Sequence, residues 1–227
     1  MEKKNRFIII GLISICFVLI TAFGFKQYKE NQQFERYLSF TLVNDISILS
    51  SSTVMNSNYL EEIIEKEQIT KEQLDYLQSN YVEIYRRGEK VVNLAEDWLK
   101  RKEDENHFAN PYPVYMASYF GIYLRKLDEA ELSNNNTFVL SSDQVEKFKL
   151  MKSVNDEWVR AILDNIEGMH SPTITELENG ADIATDSYFQ TYREEMINSE
   201  DWIEMIKQMQ SSSKPHENEV EYFKDEK

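Results

Sequence analysis

Residues 7–25, FIIIGLISICFVLITAFGF, run for 19 positions without Asp, Glu, Lys, Arg, His, Asn, Gln or Pro. About 20 apolar residues in a helix, at about 1.5 Å per residue, cross a hydrocarbon core of about 30 Å. This stretch predicts a transmembrane helix. It also decides which side of a membrane the remaining 202 residues (26–227) face. The N-terminal flank carries Lys3, Lys4 and Arg6 against Glu2. The distal flank carries Lys26 and Lys29, then Glu30 and Glu35. Positive charge favours the cytoplasmic side. Residues 1–6 are therefore expected as a short cytoplasmic stub and the rest of the chain outside the cytoplasm.

Two other readings of the same stretch compete. Ala22-Phe23-Gly24 has the small-x-small form of a signal cleavage site, so a domain secreted after a cut near Gly24 is the alternative. The apolar run is longer than the ~7–15 residues of a signal h-region, and Phe25 continues it past that cut, which favours the anchor. Lipidation at Cys16 is disfavoured. Ile15, not a small residue, precedes the cysteine, and apolar FVLITAFGF follows it.

The chain has 25 Lys+Arg and 40 Asp+Glu, a net charge of −15. Residues 1–25 contribute three cations and one acid, so residues 26–227 hold 22 cations and 39 acids, a net −17. Such a surface repels nucleic acid and anionic headgroups, and nucleic-acid binding is excluded. Aromatics make up 12% of the chain, enough to build a core and too many for a disordered acidic tail. The one cysteine lies in the apolar stretch. It can form no intramolecular disulfide and leaves no thiol elsewhere as nucleophile or ligand.

Apolar residues beyond the anchor recur at helical spacing. Leu74, Leu77, Tyr81, Ile84, Gly88, Val91, Ala95 and Trp98 alternate steps of three and four along one helix, with Tyr85, Val92 and Leu99 widening the stripe toward a bundle helix. Thr70 and Gln73 form its capping box, and Gly88 marks a kink or a close contact. Phe34, Leu38, Leu42, Ile46 and Leu49 predict an earlier helix running out of the membrane to about Asn56, with a shorter one over Tyr59–Lys66. RKEDENHFANPYP (101–113) reads as a loop, 112–131 as a helix with an aromatic face and 133–137 as a turn. Ser141 begins a helix to about Gly168. Ser171-Pro172 begins a short helix to Gly180, and 181–210 form a last helix with a possible break at Asn198-Ser199. Residues 138–140 (FVL) are the one strand-like fragment. The polar tail 211–227 is expected to be disordered.

The fold class is therefore all-α. One transmembrane helix (7–25) precedes an exported antiparallel bundle of about five or six helices spanning 26–210.

Catalytic signatures are missing from the sequence: no GxSxG, HExxH, glycine-rich phosphate loop or CxxC occurs. His107, His170 and His216 fall in three separate breaks, and no metal or cofactor is expected. With 40 acids, adjacent carboxylates carry no information about acid/base chemistry. The constellation to weigh is NPYPVYMASYFGIYL (110–124). Its Tyr112, Tyr115, Tyr119 and Tyr123 either form a core face or, through their hydroxyl tips, part of an interaction surface.

A cytoplasmic stub of about six residues leaves no room for an output domain. The reading is a non-enzymatic interaction or accessory protein of the cell envelope, with a protein partner there and self-association possible. A ligand-binding module using helix 112–124 is the alternative, and an unrecognised envelope enzyme is the second.

Overall fold

A computed structural model of the chain describes residues 2–98, 111–132 and 136–225. The chain is mostly helical, as its periodicity requires. Helix α1 runs without a break from Glu2 to Lys66, 65 residues and about 97 Å at the rise of an α-helix. The stop expected near Asn56 does not occur. Ser57 and Asn58 look like a polar break in the sequence, but both are partnered sideways. Ser57 hydrogen-bonds to Asp156, and Asn58 donates to the Pro172 carbonyl at 2.9 Å. The helix ends where Glu67 takes a positive φ of 48°, a left-handed closure of the last turn.

Three residues of strand follow, β1 (Gln68–Thr70), and then α2 (Lys71–Asn93). The Thr70–Gln73 capping box is present on both sides. The sequence seam is the buried one: Leu74, Leu77, Tyr81, Ile84, Gly88 and Val91 all face inward. Helix α2 returns along α1. Gln73 meets Glu62, Tyr76 stacks on Tyr59 and Arg87 meets Asp45. One partner's number rises as the other's falls, so the pair is antiparallel. Gly88 is a close-packing point. A Cβ there would lie 3.1 Å from Val114 Cγ2. A π-helical turn, Leu94–Trp98, closes the segment.

Helix α3 (Tyr112–Leu127) packs on α2, with Tyr81 edge-on to Phe120 at 5.3 Å. After it, β2 (Thr137–Val139) pairs antiparallel with β1, Gln68 opposite Val139 and Thr70 opposite Thr137. The FVL fragment thus finds a strand partner 69 positions back (138 to 69). Helix α4 (Ser142–Asn165) starts after Ser141, as expected, and Ser141 and Gln144 form a capping box there. It packs on α1 and on the helix over Asp201–Ser213.

The C-terminal third departs from its sequence reading. The short helix α5 covers Ile174–Glu178, capped by Thr173. The helix expected over 181–210 is instead α6 (Asp186–Tyr192), a 3-10 turn at 196–198 and α7 (Asp201–Ser213). The interruption turns Met196 and Ile197 into the core, where the Ile197 N–H donates to Ser39 Oγ at 3.1 Å. The tail is not disordered over its described part. Helix α8 (Glu217–Asp225) packs against α3 with Val220 and Phe223 buried.

The core holds the fully buried Trp158, Trp202, Tyr81, Tyr188, Phe120 and Phe148. Burial of each such side chain stabilises the fold by roughly 1.5–3 kcal/mol or more. The Trp158 indole donates to Ser213 Oγ at 2.8 Å, fastening α4 to the end of α7. The expected loop 101–110 with His107, positions 133–135 of the expected turn, and Leu99 with the side chain of Trp98 lie outside the described residues.

Candidate interaction surface

Helix α1 divides into two halves by exposure. From Leu42 to Ile63 it supplies one wall of the core. From Gly11 to Tyr37 every residue is exposed, including Ile13, Phe17, Leu19, Ile20 and Phe23 at 63–70%. The helix contains a stretch long and apolar enough to cross a membrane, and none of that apolar window is buried within the chain. Its place near the N-terminus is equally that of a signal sequence.

Between this stretch and the core lies an aromatic collar. Phe34, Tyr37 and Phe40 are 55%, 66% and 53% exposed. At about 100° per residue the three occupy one side of α1, with Thr41 and Asn44 continuing that side. Leu38, Ser39, Leu42 and Val43 occupy the other. The buried side is held by specific bonds. Ser39 Oγ accepts from Ile197 N–H, and the Val43 carbonyl accepts from the Tyr188 hydroxyl at 2.7 Å. Phe34 was expected to point inward with Leu38 and Leu42, which share its spacing. It points outward, on the same side as Tyr37 and Phe40. An exposed ion pair, Arg36–Glu194 at 3.4 Å, ties α1 to the turn after Tyr192. Such a pair contributes about 0–1 kcal/mol.

The four tyrosines of α3 separate into three environments. Tyr123 is buried. Its ring sits edge-on to Phe223 at 5.1 Å and to Phe148 at 6.2 Å, with the Lys147 ammonium 5.3 Å above it. Tyr112 and Tyr119 are half-buried and flank, with Met116, a crevice of about 70 Å³ closed by Glu217, Val220 and Glu221 of α8. Tyr115 alone is exposed, at 46%. Helix α8 has therefore taken most of the face that the sequence left open. The Tyr112 N–H is also occupied, donating to Gln210 Oε1 at 3.0 Å.

Protonation chemistry concentrates in the core. Burial pushes the Tyr81 and Tyr188 hydroxyls well above the ordinary tyrosine range. Tyr192 is pushed up to about 12, first by burial and then by its 2.6 Å hydrogen bond to Asp201. The guanidinium of Arg87 is held further above its usual value by hydrogen bonds to Asp45 and Glu83. Asp45 is itself 7% exposed at its side chain, so this pair is a fastening between α1 and α2. Glu176 is lowered by accepting from Thr173 in a capping box. Tyr188, Tyr192, Arg87 and Glu176 each have a structural hydrogen-bond partner, whereas the Tyr81 hydroxyl is buried without one among the described residues. Among the described residues no three His, Cys, Asp or Glu side chains are grouped to hold a metal ion.

No family model, curated protein or solved structure matches this chain. The argument for a role thus rests on the geometry alone. Its most distinctive feature is a bare apolar helix joined rigidly, through an uncovered aromatic collar, to an acidic helical body. Sequence reasoning placed the candidate surface on α3 and missed the collar. Exposure along α1 depends on how far the neighbouring helices reach, which local spacing does not encode.

Proposed function

We propose that this protein is a single-pass, membrane-anchored interaction protein of the cell envelope. Residues 7–25 span the bilayer, residues 1–6 face the cytoplasm and the acidic helical body lies outside it as a bundle with antiparallel neighbours. Its partner is another envelope protein, engaged at the collar of Phe34, Tyr37 and Phe40.

The observation that carries this reading is the exposure of those three aromatics on the helix that enters the membrane. Phe34 lies nine residues past Phe25, about 13 Å along an α-helix. That exceeds the ~5–8 Å of headgroup region on one side of a bilayer. Lipid therefore does not cover the collar, whereas Tyr28, three residues past Phe25, sits at interfacial depth. Aromatic side chains clustered on an exposed face are the residue type enriched at interface centres.

The test is site-specific photocrosslinking in the native host, with the reactive group placed in turn at Phe34, Tyr37, Phe40 and, as a control, Tyr222. A discrete adduct from the three collar positions and none from Tyr222, which is 75% exposed on α8, is the expected result. Equal adducts from all four sites refute the collar as the interface. The intact mass of the crosslinked chain separates anchor from cleaved signal, since a chain lacking residues 1–24 has been released.

A further inference from the structure

We infer that the cleft between α2 and α3 is a binding site for a small organic carboxylate. The cleft has a volume of about 230 Å³, below the ~300–1,000 Å³ of drug-sized sites, so its occupant is small. It exists because α3 turns small residues toward α2 here. Ala117, Ser118 and Gly121 line it opposite Gln78, Val82 and Tyr85. A Cβ built on Gly121 would meet only Tyr81 Cβ, at 3.9 Å, so the space is open to a side chain and is not occupied by one.

The charge of the lining selects the ligand. Residues 26–227 carry a net −17, and the two larger surface grooves follow that sign. One is lined by Glu72 and Asp75 with Lys71, the other by Asp143, Glu146 and Glu219 with Lys147 and Lys149, so acids outnumber cations in each. The α2/α3 cleft has no carboxylate in its lining and has one guanidinium, Arg125, at its rim. Arg125 makes no ion pair among the described residues. Gln78 lines the same cleft, and its Nε2 is buried without an acceptor. Ser118 and Tyr85 add hydroxyl donors. An excess of donors around an acid-free apolar floor is complementary to a carboxylate. The apolar lining of Ala117, Ile122 and Val82 takes the hydrocarbon body. The guanidinium fork matches the two carboxylate oxygens.

The site is distinct from the collar, which lies on α1, so failure of either proposal leaves the other standing. The experiment is ligand-observed NMR titration of the full-length protein in nanodiscs. The probes are benzoate and isovalerate, with benzamide and isovaleramide as neutral counterparts and inorganic phosphate as the ion control. One anchoring ion pair and a small buried body set the expected Kd at about 1 mM. At least one carboxylate is expected to bind saturably and its amide at least tenfold more weakly. Arg125→Gln should weaken the carboxylate at least tenfold while leaving the amide unchanged. Gly121→Leu, which fills the cleft, should abolish binding of both, with helicity retained by circular dichroism. Gly121→Ala serves as the second variant if the leucine unfolds the chain, and should weaken binding partially. Retention of carboxylate binding in Gly121→Leu or Arg125→Gln overturns the assignment. So does equal binding of phosphate, or no saturable binding of either carboxylate. If Arg125 served only the C-terminal end of α3, its removal would lower thermal stability without changing the Kd.

Discussion

Phe223→Ala measures whether the C-terminal segment is part of the fold. The side chain is 3% exposed and lies edge-on to Phe120 at 5.3 Å and to Tyr123 at 5.1 Å. Truncating a buried Phe costs about 3–5 kcal/mol in transfer and cavity terms. The two edge-to-face pairs lost with it, roughly 0.5–1.5 kcal/mol each, are part of that cost. Helix α8 has few neighbours besides α3 and the turn before it, so the site can collapse, and a value near the low end, about 3 kcal/mol, is expected. For a domain of this size that lowers Tm by about 6–12 °C. The assay is urea and thermal unfolding of the full-length protein in nanodiscs, followed by tryptophan fluorescence. Trp158 stands 6.4 Å from Phe120 and reports on this part of the core. Tyr222→Ala, one residue away and 75% exposed, is the control and should stay within ~0.5 kcal/mol of the parent. Equal, small effects of the two changes would refute the packing argument. They would return the aromatic face of α3, with Tyr112, Tyr119 and Tyr123, to the list of open surfaces.

Gly168 and Gly180 both have positive φ, 78° and 89°, but different surroundings. A Cβ on Gly168 would fall 2.5 Å from the Tyr188 backbone nitrogen, while one on Gly180 meets nothing within 4 Å. Gly180→Ala should cost about 1 kcal/mol for the left-handed backbone alone. Gly168→Ala should cost at least about 2 kcal/mol more, read as the difference in urea midpoints. Alkaline stability follows from the tyrosines. Tyr81, Tyr188 and Tyr192 hold their protons in the folded state above the ordinary value of 10.0, Tyr192 to about 12. Their contribution is complete below about pH 10 and is lost as pH rises from there through about 12, because the unfolded chain releases those protons first. The urea midpoint should fall across that window, and Tyr192→Phe should make the fall shallower. A flat midpoint across it contradicts burial of these hydroxyls.

Much of the helical framework was readable from the sequence because it is written in local terms. The Thr70–Gln73 capping box and the helix start at Ser141 are where the sequence puts them, and the seam is buried from Leu74 to Ala95. What escaped was decided by contacts between distant segments. Helix α8 offers only Val220 and Phe223 as inward residues, too few for a periodic signal, and it is held by aromatics about 100 positions earlier. The β1–β2 pair is three residues on each side, and neither strand exists without the other. Ser57 and Asn58 resembled a break because a polar pair in the sequence does not reveal that its partners are Asp156 and Pro172. The cleft at Gly121 was unreadable for a related reason. A row of Ala, Ser and Gly signals close packing as readily as an opening, and the distance of the facing helix decides which.

The unbroken course of α1 makes it a shaft. A flexible linker of the length of 26–37 would let the body tumble independently of the segment before it. A helix instead transmits azimuth, and each residue between Phe25 and Leu38 sets a turn of about 100° and a rise of about 1.5 Å. The bearing of Phe34, Tyr37 and Phe40 is thereby geared to that of Ile13, Phe17 and Ile20, so whatever grips the apolar end also aims the collar.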